Sequence, residues 1–272
     1  MSNYQAPSQR RISISDLAAM KRRGEKWSMI TCYEQMMAQI FDEAQIPVLL
    51  VGDSAGNNFL GEENTIPVTV DQMVMLTGAV VRGSRRAMVV ADFPFGSYEK
   101  SPKQALATGV RLFKEAKCHA IKLEGGKKVV PQIKKLIAAG IPVMGHLGLT
   151  PQSVHALGGF KVQGRGDDAQ RIMKDAKALE AAGVFAIVLE LVPAELATAI
   201  AQELTIPIIG IGAGIGTDAQ VIVWTDLMGL TQTPPKFAKA YRDLRSEILG
   251  GVQEWATDVA SGAFPAEAQT FH

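Results

Sequence analysis

What most restricts the fold of this chain is a recurring unit: an amphipathic helix, a break built on Ala-Gly or Ile-Pro, then an apolar strand. It appears as AQIFDEAQIPVLLVGD, FKEAKCHAIKLEG, KKLIAAGIPVMGH, KALEAAGVFAIVLE and AQELTIPIIGIG. The strands are short and almost continuously apolar, as parallel strands are when helices cover both faces. WSMITCY and RAMVVAD supply two more. An eighth falls near VIVWTDLMGL, where strand and helix patterns overlap. Eight alternations in about 250 residues fit an α/β chain closed into a (βα)8 TIM barrel, with a doubly wound open sheet as the competitor. No linker or composition shift marks a second domain. Residues 1–25 read as a polar arm with one short helix, and 26–272 as a single barrel domain whose last helices, after Pro234, pack outside it.

Local signals set several helix starts. Ser101-Pro102-Lys103-Gln104 has a capping hydroxyl, a proline at the first helical position and a glutamine three residues after the cap; Thr69 and Gln72 repeat the capping-box spacing. After TCY, helical spacing puts Met36, Met37, Ile40, Phe41 and Ala44 on one stripe, expected to face the core. GRGDD, residues 164–168, reads as a turn and helix cap.

Composition excludes several classes of function. A net charge of +1 offers no basic surface for nucleic acid. No apolar stretch approaches the roughly 18 residues of a membrane span, and the N-terminus lacks the apolar segment of a secretory signal. Cys32 and Cys118, both within apolar runs, are expected to be buried thiols in a reducing compartment. A soluble, cytoplasmic protein is expected.

In a barrel of this kind the active site forms at the C-terminal strand ends. Those ends carry Asp53 and Ser54 after the second strand, Asp92 after the third, Lys122 and Glu124 on the fourth, His146 on the fifth and Glu190 on the sixth. Lys122 and Glu124 stand two apart, so an extended chain points both to one face. Buried unpaired charge is costly, so five consecutive strands delivering ionisable groups are hard to explain as packing. Asp53, Asp92 and Glu124 are hard oxygen donors that repel one another unless a cation lies between them. Without a nearby Cys or His pair they favour magnesium over zinc; an ion-pair network with Lys122 is the other reading. A divalent ion there suits a 2-oxo acid, chelated through its carboxylate and keto oxygen, whose adjacent carbon it acidifies. Lys122 then faces the substrate as a point charge, and Glu190, flanked by Leu189 and Leu191, is the natural general base. His146 is placed as a substrate contact, and His119, His155 and His272 as structural or solvent-facing. GIGAGIG, residues 210–216, contains no G-x-G-x-x-G and follows a late strand, which argues against a nicotinamide cofactor and for close backbone approach to a ligand.

The motifs LLVGDSAG, TIPVTVDQM, ADFPFGSY, KLEGG, GHLGLTPQSV, GGFKVQGRG, LEAAGVFAIVLELVP, IPIIGIGAG and PKFAKAY together resemble the ketopantoate hydroxymethyltransferase family from about Trp27 to the end of the chain. The resemblance implies a TIM barrel of the phosphoenolpyruvate/pyruvate type. It implies a Mg2+-dependent transfer of a hydroxymethyl group from 5,10-methylenetetrahydrofolate to 3-methyl-2-oxobutanoate, through an enolate. The products are 2-dehydropantoate and tetrahydrofolate, on the pantothenate branch to coenzyme A. It implies Asp53, Asp92 and Glu124 as metal ligands, Asp53, Ser54, Asp92 and Lys122 as oxo-acid contacts, Glu190 as proton acceptor and His146 near the substrate. It also implies a homo-oligomer, often a decamer. The family's usual TAYD is TCYE here, with Cys32 and Glu34, and Leu191 stands where a cysteine is frequent. A lyase or mutase on the same scaffold commonly carries a KRCGH-type loop that this chain lacks; a retired, non-catalytic barrel would be expected to have lost a rim residue, and none is missing.

Overall fold

The structure is a computed structural model that describes residues 10–272, so the first part of the expected arm lies outside the described residues. The chain divides into two compact units, one running to Ile222 and the other Val223–His272.

The first unit opens with helix α1 (Ile14–Arg22), capped by Ser13 and Asp16 in a reciprocal capping box. This segment is more than a polar arm, because Leu17 is fully buried among the strand residues of the barrel core. Its Lys21 Nζ donates to the carbonyls of Ala201 and Ile206 and to Asp218 Oδ2, each at 2.8 Å. The alternation then runs β1 (Trp27–Thr31), α2 (Gln35–Glu43), β2 (Val48–Val51), α3 (Ala55–Asn58), α4 (Val70–Gly83), β3 (Met88–Asp92), α5 (Pro102–Arg111) and β4 (Ala120–Glu124). It continues through α6 (Val130–Ala138), β5 (Val143–Gly148), α7 (Val154–Leu157), α8 (Asp168–Ala182), β6 (Ala186–Glu190), α9 (Ala194–Glu203), β7 (Ile208–Ile211) and β8 (Ala219–Ile222). All neighbouring strands are parallel and β8 closes on β1, giving a closed eight-stranded barrel. The open-sheet alternative is excluded.

Alternate strand residues point inward and fill the barrel: Val48 and Leu50, Met88 and Val90, Ala120, Met144, Ala186 and Val188, Ile209 and Ile211. The expected caps form. Thr69 and Gln72 make a full capping box at α4. At α5, Ser101 Oγ accepts from Gln104 N while the Gln104 amide reaches back to Lys100 N and Gly96 O.

The eighth strand falls at the start of VIVWTDLMGL, where the two patterns follow one another: β8 ends at Ile222 and helix α10 (Trp224–Leu227) begins two residues later. One sequence expectation needs correction. The stripe on α2 is not all core. Met36 and Ile40 are exposed, while Ala38 and Phe41 are buried. The contact that turns the helix this way is at Gly83, where even a Cβ would lie 2.7 Å from Ala38 Cβ. So close an approach is possible only on the small-residue side of α2.

β7 passes to β8 through the loop 212–218 with no helix between them. Parallel neighbours normally need a crossover of a dozen residues or more. Gly212 and Gly214, at φ +60° and +79°, let the chain double back in fewer. The second unit carries α10 and α11 (Leu244–Ser261), the latter capped by Asp243. No described helix is long and apolar enough to cross a membrane.

Candidate active site at the barrel mouth

The inward file of β4 explains the paired charges. Ala120, Lys122 and Glu124 share one face; Ala120 joins the apolar layer, and the next two positions carry polar groups above it. Register fixes their neighbours. Asp92 lies beside Lys122, and Glu124 beside His146. Glu190 ends β6 alongside Gly148, where a Cβ would lie 2.2 Å from the Glu190 carbonyl oxygen, so only glycine fits.

Lys122 Nζ is 2.9 Å from Asp92 Oδ1 and 3.2 Å from His146 Nδ1. His146 bridges two acids, with Nδ1 3.4 Å from Glu124 Oε1 and Nε2 3.2 Å from Glu190 Oε2. Asp53, Asp92, Lys122, Glu124 and His146 are all buried, whereas the Glu190 side chain is 17% exposed, so the acid nearest solvent is the one on β6. Asp53 N donates to Asp92 Oδ2 at 3.1 Å. Ser54, in the turn before α3, has its hydroxyl 2.9 Å from the Tyr33 hydroxyl. The seven residues singled out in the sequence therefore reach one rim.

Three participants were not anticipated. Gln152, buried in the loop after β5, donates from Nε2 to Asp53 Oδ2 (2.8 Å) and to the Phe93 carbonyl (2.7 Å), while its backbone N–H donates to Glu124 Oε2 (3.1 Å). The Tyr98 hydroxyl lies 2.9 Å from Gln152 Oε1 and 3.1 Å from the Glu124 carbonyl oxygen. One neutral residue thus orients two acids from different strands. Tyr33 does the same for Ser54. Their only signal in the sequence was position within the motifs GHLGLTPQSV, ADFPFGSY and TCYE.

Electrostatics show what is in excess. Burial pushes the Asp53 carboxyl well above the ordinary carboxylate range, and repulsion from Asp92 and Glu124 adds to it against Lys122 and Gln152. Burial also raises Asp92, in part offset by Lys122. For His146, burial and the Lys122 charge act downward, but Glu124 and Glu190 outweigh them and the imidazole rises to about 9. Burial likewise disfavours the Lys122 ammonium, yet Asp92, Glu124 and Asp53 hold it above its usual value. With every group ionised, four carboxylates face two cations, a deficit of two positive charges. Asp92 Oδ1 and Glu124 Oε1 are buried and, beyond their ion-pair contacts with Lys122 and His146, accept no hydrogen bond among the described residues. All-oxygen donors, spare lone pairs and a two-charge deficit fit a hard divalent cation. Among the described residues no three His, Cys, Asp or Glu side chains already stand as a metal cage; Lys122 and Gln152 hold Asp92 and Asp53 instead.

The family model described as ketopantoate hydroxymethyltransferase matches residues 11–267. The chain belongs to this family. A relative from Streptomyces avermitilis, named 3-methyl-2-oxobutanoate hydroxymethyltransferase, is 56% identical over 271 residues, covering 99% of this chain and 94% of that protein. One of the same name from Thermobifida fusca is 52% identical over 269 residues, with 98% and 96% covered. Family membership makes the chain a transferase, and the eight-strand barrel is its scaffold. Solved structures share that scaffold at low identity. Phosphonopyruvate hydrolase in complex with oxalate and Mg++ aligns with a TM-score of 0.62 at 12% identity, over 96% of this chain and 92% of that one. For 2,3-dimethylmalate lyase, a member of the PEP mutase/isocitrate lyase superfamily, the values are 0.59 and 12%, over 95% and 91%.

The departures from the family pattern find a structural account. Glu34 caps α2, its carboxylate accepting from the backbone N–H of Met36 (2.5 Å) and Met37 (2.6 Å). Leu191 takes a left-handed conformation, φ +45°, which costs a non-glycine residue on the order of 1 kcal/mol. It is held from both sides, donating to the Ile211 carbonyl and accepting from Gln163 N–H, each at 2.9 Å. Cys32 and Cys118 are free, and burial pushes both thiols up to about 12.

Proposed function

We propose that the barrel mouth takes the C3 proton from 3-methyl-2-oxobutanoate and joins that carbon to the one-carbon unit of 5,10-methylenetetrahydrofolate. Water supplies the hydroxyl oxygen, and 2-dehydropantoate and tetrahydrofolate leave. A Mg2+ ion held by Asp53, Asp92 and Glu124 would supply Lewis acidity toward the keto oxygen, stabilising charge that develops when the proton departs. Lys122 faces the substrate as a fixed positive charge and, with Ser54, contacts the oxo acid. Glu190 accepts the proton. It suits that role because it is the acid nearest solvent, on a different strand from the three proposed ligands. Its carboxylate is oriented by His146 at 3.2 Å, and His146 is itself anchored by Glu124.

The observation that carries this reading is the division of labour along one rim: three buried acids at the ends of β2 to β4, two of them with an oxygen that accepts no hydrogen bond among the described residues, a cation between them, and a separate acid on β6 behind a histidine. Incubating the protein with 3-methyl-2-oxobutanoate and Mg2+ in deuterated water tests it. Exchange at C3 that requires the metal, and is lost in Glu190→Gln, is the expected result; absence of exchange in the unaltered protein overturns it. Formation of 2-dehydropantoate only with the folate then distinguishes transferase from lyase.

The same reading places the enzyme in the cytoplasm on the pantothenate branch to coenzyme A, with no nucleic-acid or membrane partner. A homo-oligomer, expected as a decamer, belongs to it too. Ile248, Val252, Trp255 and Val259 are exposed along one stripe of α11, the kind of surface that association covers. Sedimentation velocity tests the subunit number.

A further inference from the structure

The Glu190 strand leads directly into a groove that the chemistry above does not use. It is an open groove of about 810 Å³, lined by three loops: 162–166 beyond β5, 192–196 after β6, and Gly212 with Gly214 after β7. That volume lies in the range of small-molecule sites, roughly 300–1,000 Å³. Val192, on its wall, is two residues from Glu190, so their Cα atoms lie within about 7 Å. The groove and the proposed base share one end of the barrel.

The walls are built in advance. Leu191 N–H donates to the Ile211 carbonyl and its own carbonyl accepts from Gln163 N–H, tying all three loops together at the left-handed turn. A Cβ at Gly214 would lie 2.5 Å from Ala194 Cβ, and one at Gly164 would lie 2.7 Å from Leu196 Cδ2, so the loops pack too closely for side chains there. The lining is mainly apolar or bare backbone. Phe160, Val162 and Ile215, within two residues of lining positions or on the wall, are exposed, forming apolar surface with nothing over it among the described residues. The wall carries one cation, Arg165, whose guanidinium no carboxylate engages among the described residues, and one acid, the exposed Glu195 on the 192–196 loop. Apolar walls, close backbone and a free arginine suit a flat ring system with a carboxylate tail, and Arg can grip a carboxylate with two N–H groups.

We propose that this groove is the site of the one-carbon donor, a reduced folate lying with its ring system toward Val192 and its glutamate carboxylates toward Arg165. The proposal rests on the transfer reaction above and adds the place from which the carbon arrives.

Two variants at exposed positions test it: Val162→Trp, which fills the groove, and Arg165→Glu, which reverses its cation. Tetrahydrofolate binding is measured by calorimetry, transfer with 5,10-methylenetetrahydrofolate, and C3 deuterium exchange of the oxo acid without folate. The expected result is at least a tenfold loss of tetrahydrofolate affinity and a matching rise in the donor KM, with exchange within twofold of the unaltered protein. The Arg165→Glu defect should shrink to within twofold when the donor carries pteroate in place of pteroylglutamate. Unchanged folate affinity and transfer in both variants overturns the groove assignment while leaving the reaction intact. Exchange lost together with transfer in both variants also overturns it, because the groove would then serve the oxo acid. Failure of the unaltered protein to exchange C3 at all sinks the reaction itself, a distinguishable outcome.

Discussion

The floor and the mouth of the barrel are lined by the same strands yet treat polar groups in opposite ways. At the floor, Lys21 donates to three acceptors at 2.8 Å, and Leu17 plugs the apolar layer. At the mouth, Asp92 Oδ1, Glu124 Oε1 and His146 Nε2 are buried and held by ion-pair contacts alone, at 2.9, 3.4 and 3.2 Å, with no hydrogen bond among the described residues. Two histidines make the contrast quantitative. Burial, aided by the Arg11 charge, lowers His119, just before β4, to about 4, and it stays neutral to accept the Val89 N–H. His146, on the next strand, rises to about 9 between Glu124 and Glu190. The floor is mainly apolar and serves stability, with Trp27 Nε1 its one orphan among the described residues of that layer; the mouth concentrates charge and keeps interaction capacity for ligands.

Substitutions can break that contrast. The largest effect is expected from Glu190→Gln, which should lower C3 exchange by about 10²–10⁴-fold while leaving the Tm within a degree or two, roughly the effect of a surface change. A thermal melt alongside the exchange assay checks both halves. Leu17→Ala should do the reverse. Deleting a fully buried leucine should cost about 2–5 kcal/mol in denaturant unfolding, with oxo-acid exchange intact at temperatures where the protein stays folded.

Gln152 sharpens the boundary between the two regimes, being fully hydrogen-bonded yet in contact with proposed ligands. Gln152→Met keeps the volume but releases Asp53, and should weaken Mg2+ binding by about 10–100-fold in calorimetry. A variant with unchanged metal affinity and reduced stability would place Gln152 with the structural groups instead. The smallest effect is expected at His119. Its folded value lies below the unfolded one, so between about pH 6.5 and pH 4 the unfolded chain binds the extra proton. Its contribution is therefore present above pH 6.5 and lost as the pH falls toward 4. Comparing unfolding free energies at both ends for the protein and His119→Gln should reveal a difference of at most about 2 kcal/mol, discounted for partial exposure.

Much of the mouth was legible in the sequence because strands alternate. A residue ending an apolar strand faces a predictable side, so Asp92, Lys122, Glu124, His146 and Glu190 could be placed without coordinates. Gln152, Tyr33 and Tyr98 could not. A neutral polar side chain in a loop is buried or exposed according to how that loop folds over the rim, and no local period records it. The stripe on α2 was misread for a related reason: 3.6-residue spacing defines candidate faces, but the approach of Gly83 chose the Ala38 side.

Sequence alone thus settled the alternation and the ring of ionisable strand ends, which follow from short-range periodicity, and favoured a barrel over an open sheet; closure itself was decided by the pairing of β8 with β1. Tertiary structure decided the rest: which oxygens stay unsatisfied, which helix face is buried, how a glycine loop replaces a helix between β7 and β8, and where three distant loops leave a groove beside Glu190. Those features depend on distances between segments far apart in the chain, and such distances exist only after the barrel has closed.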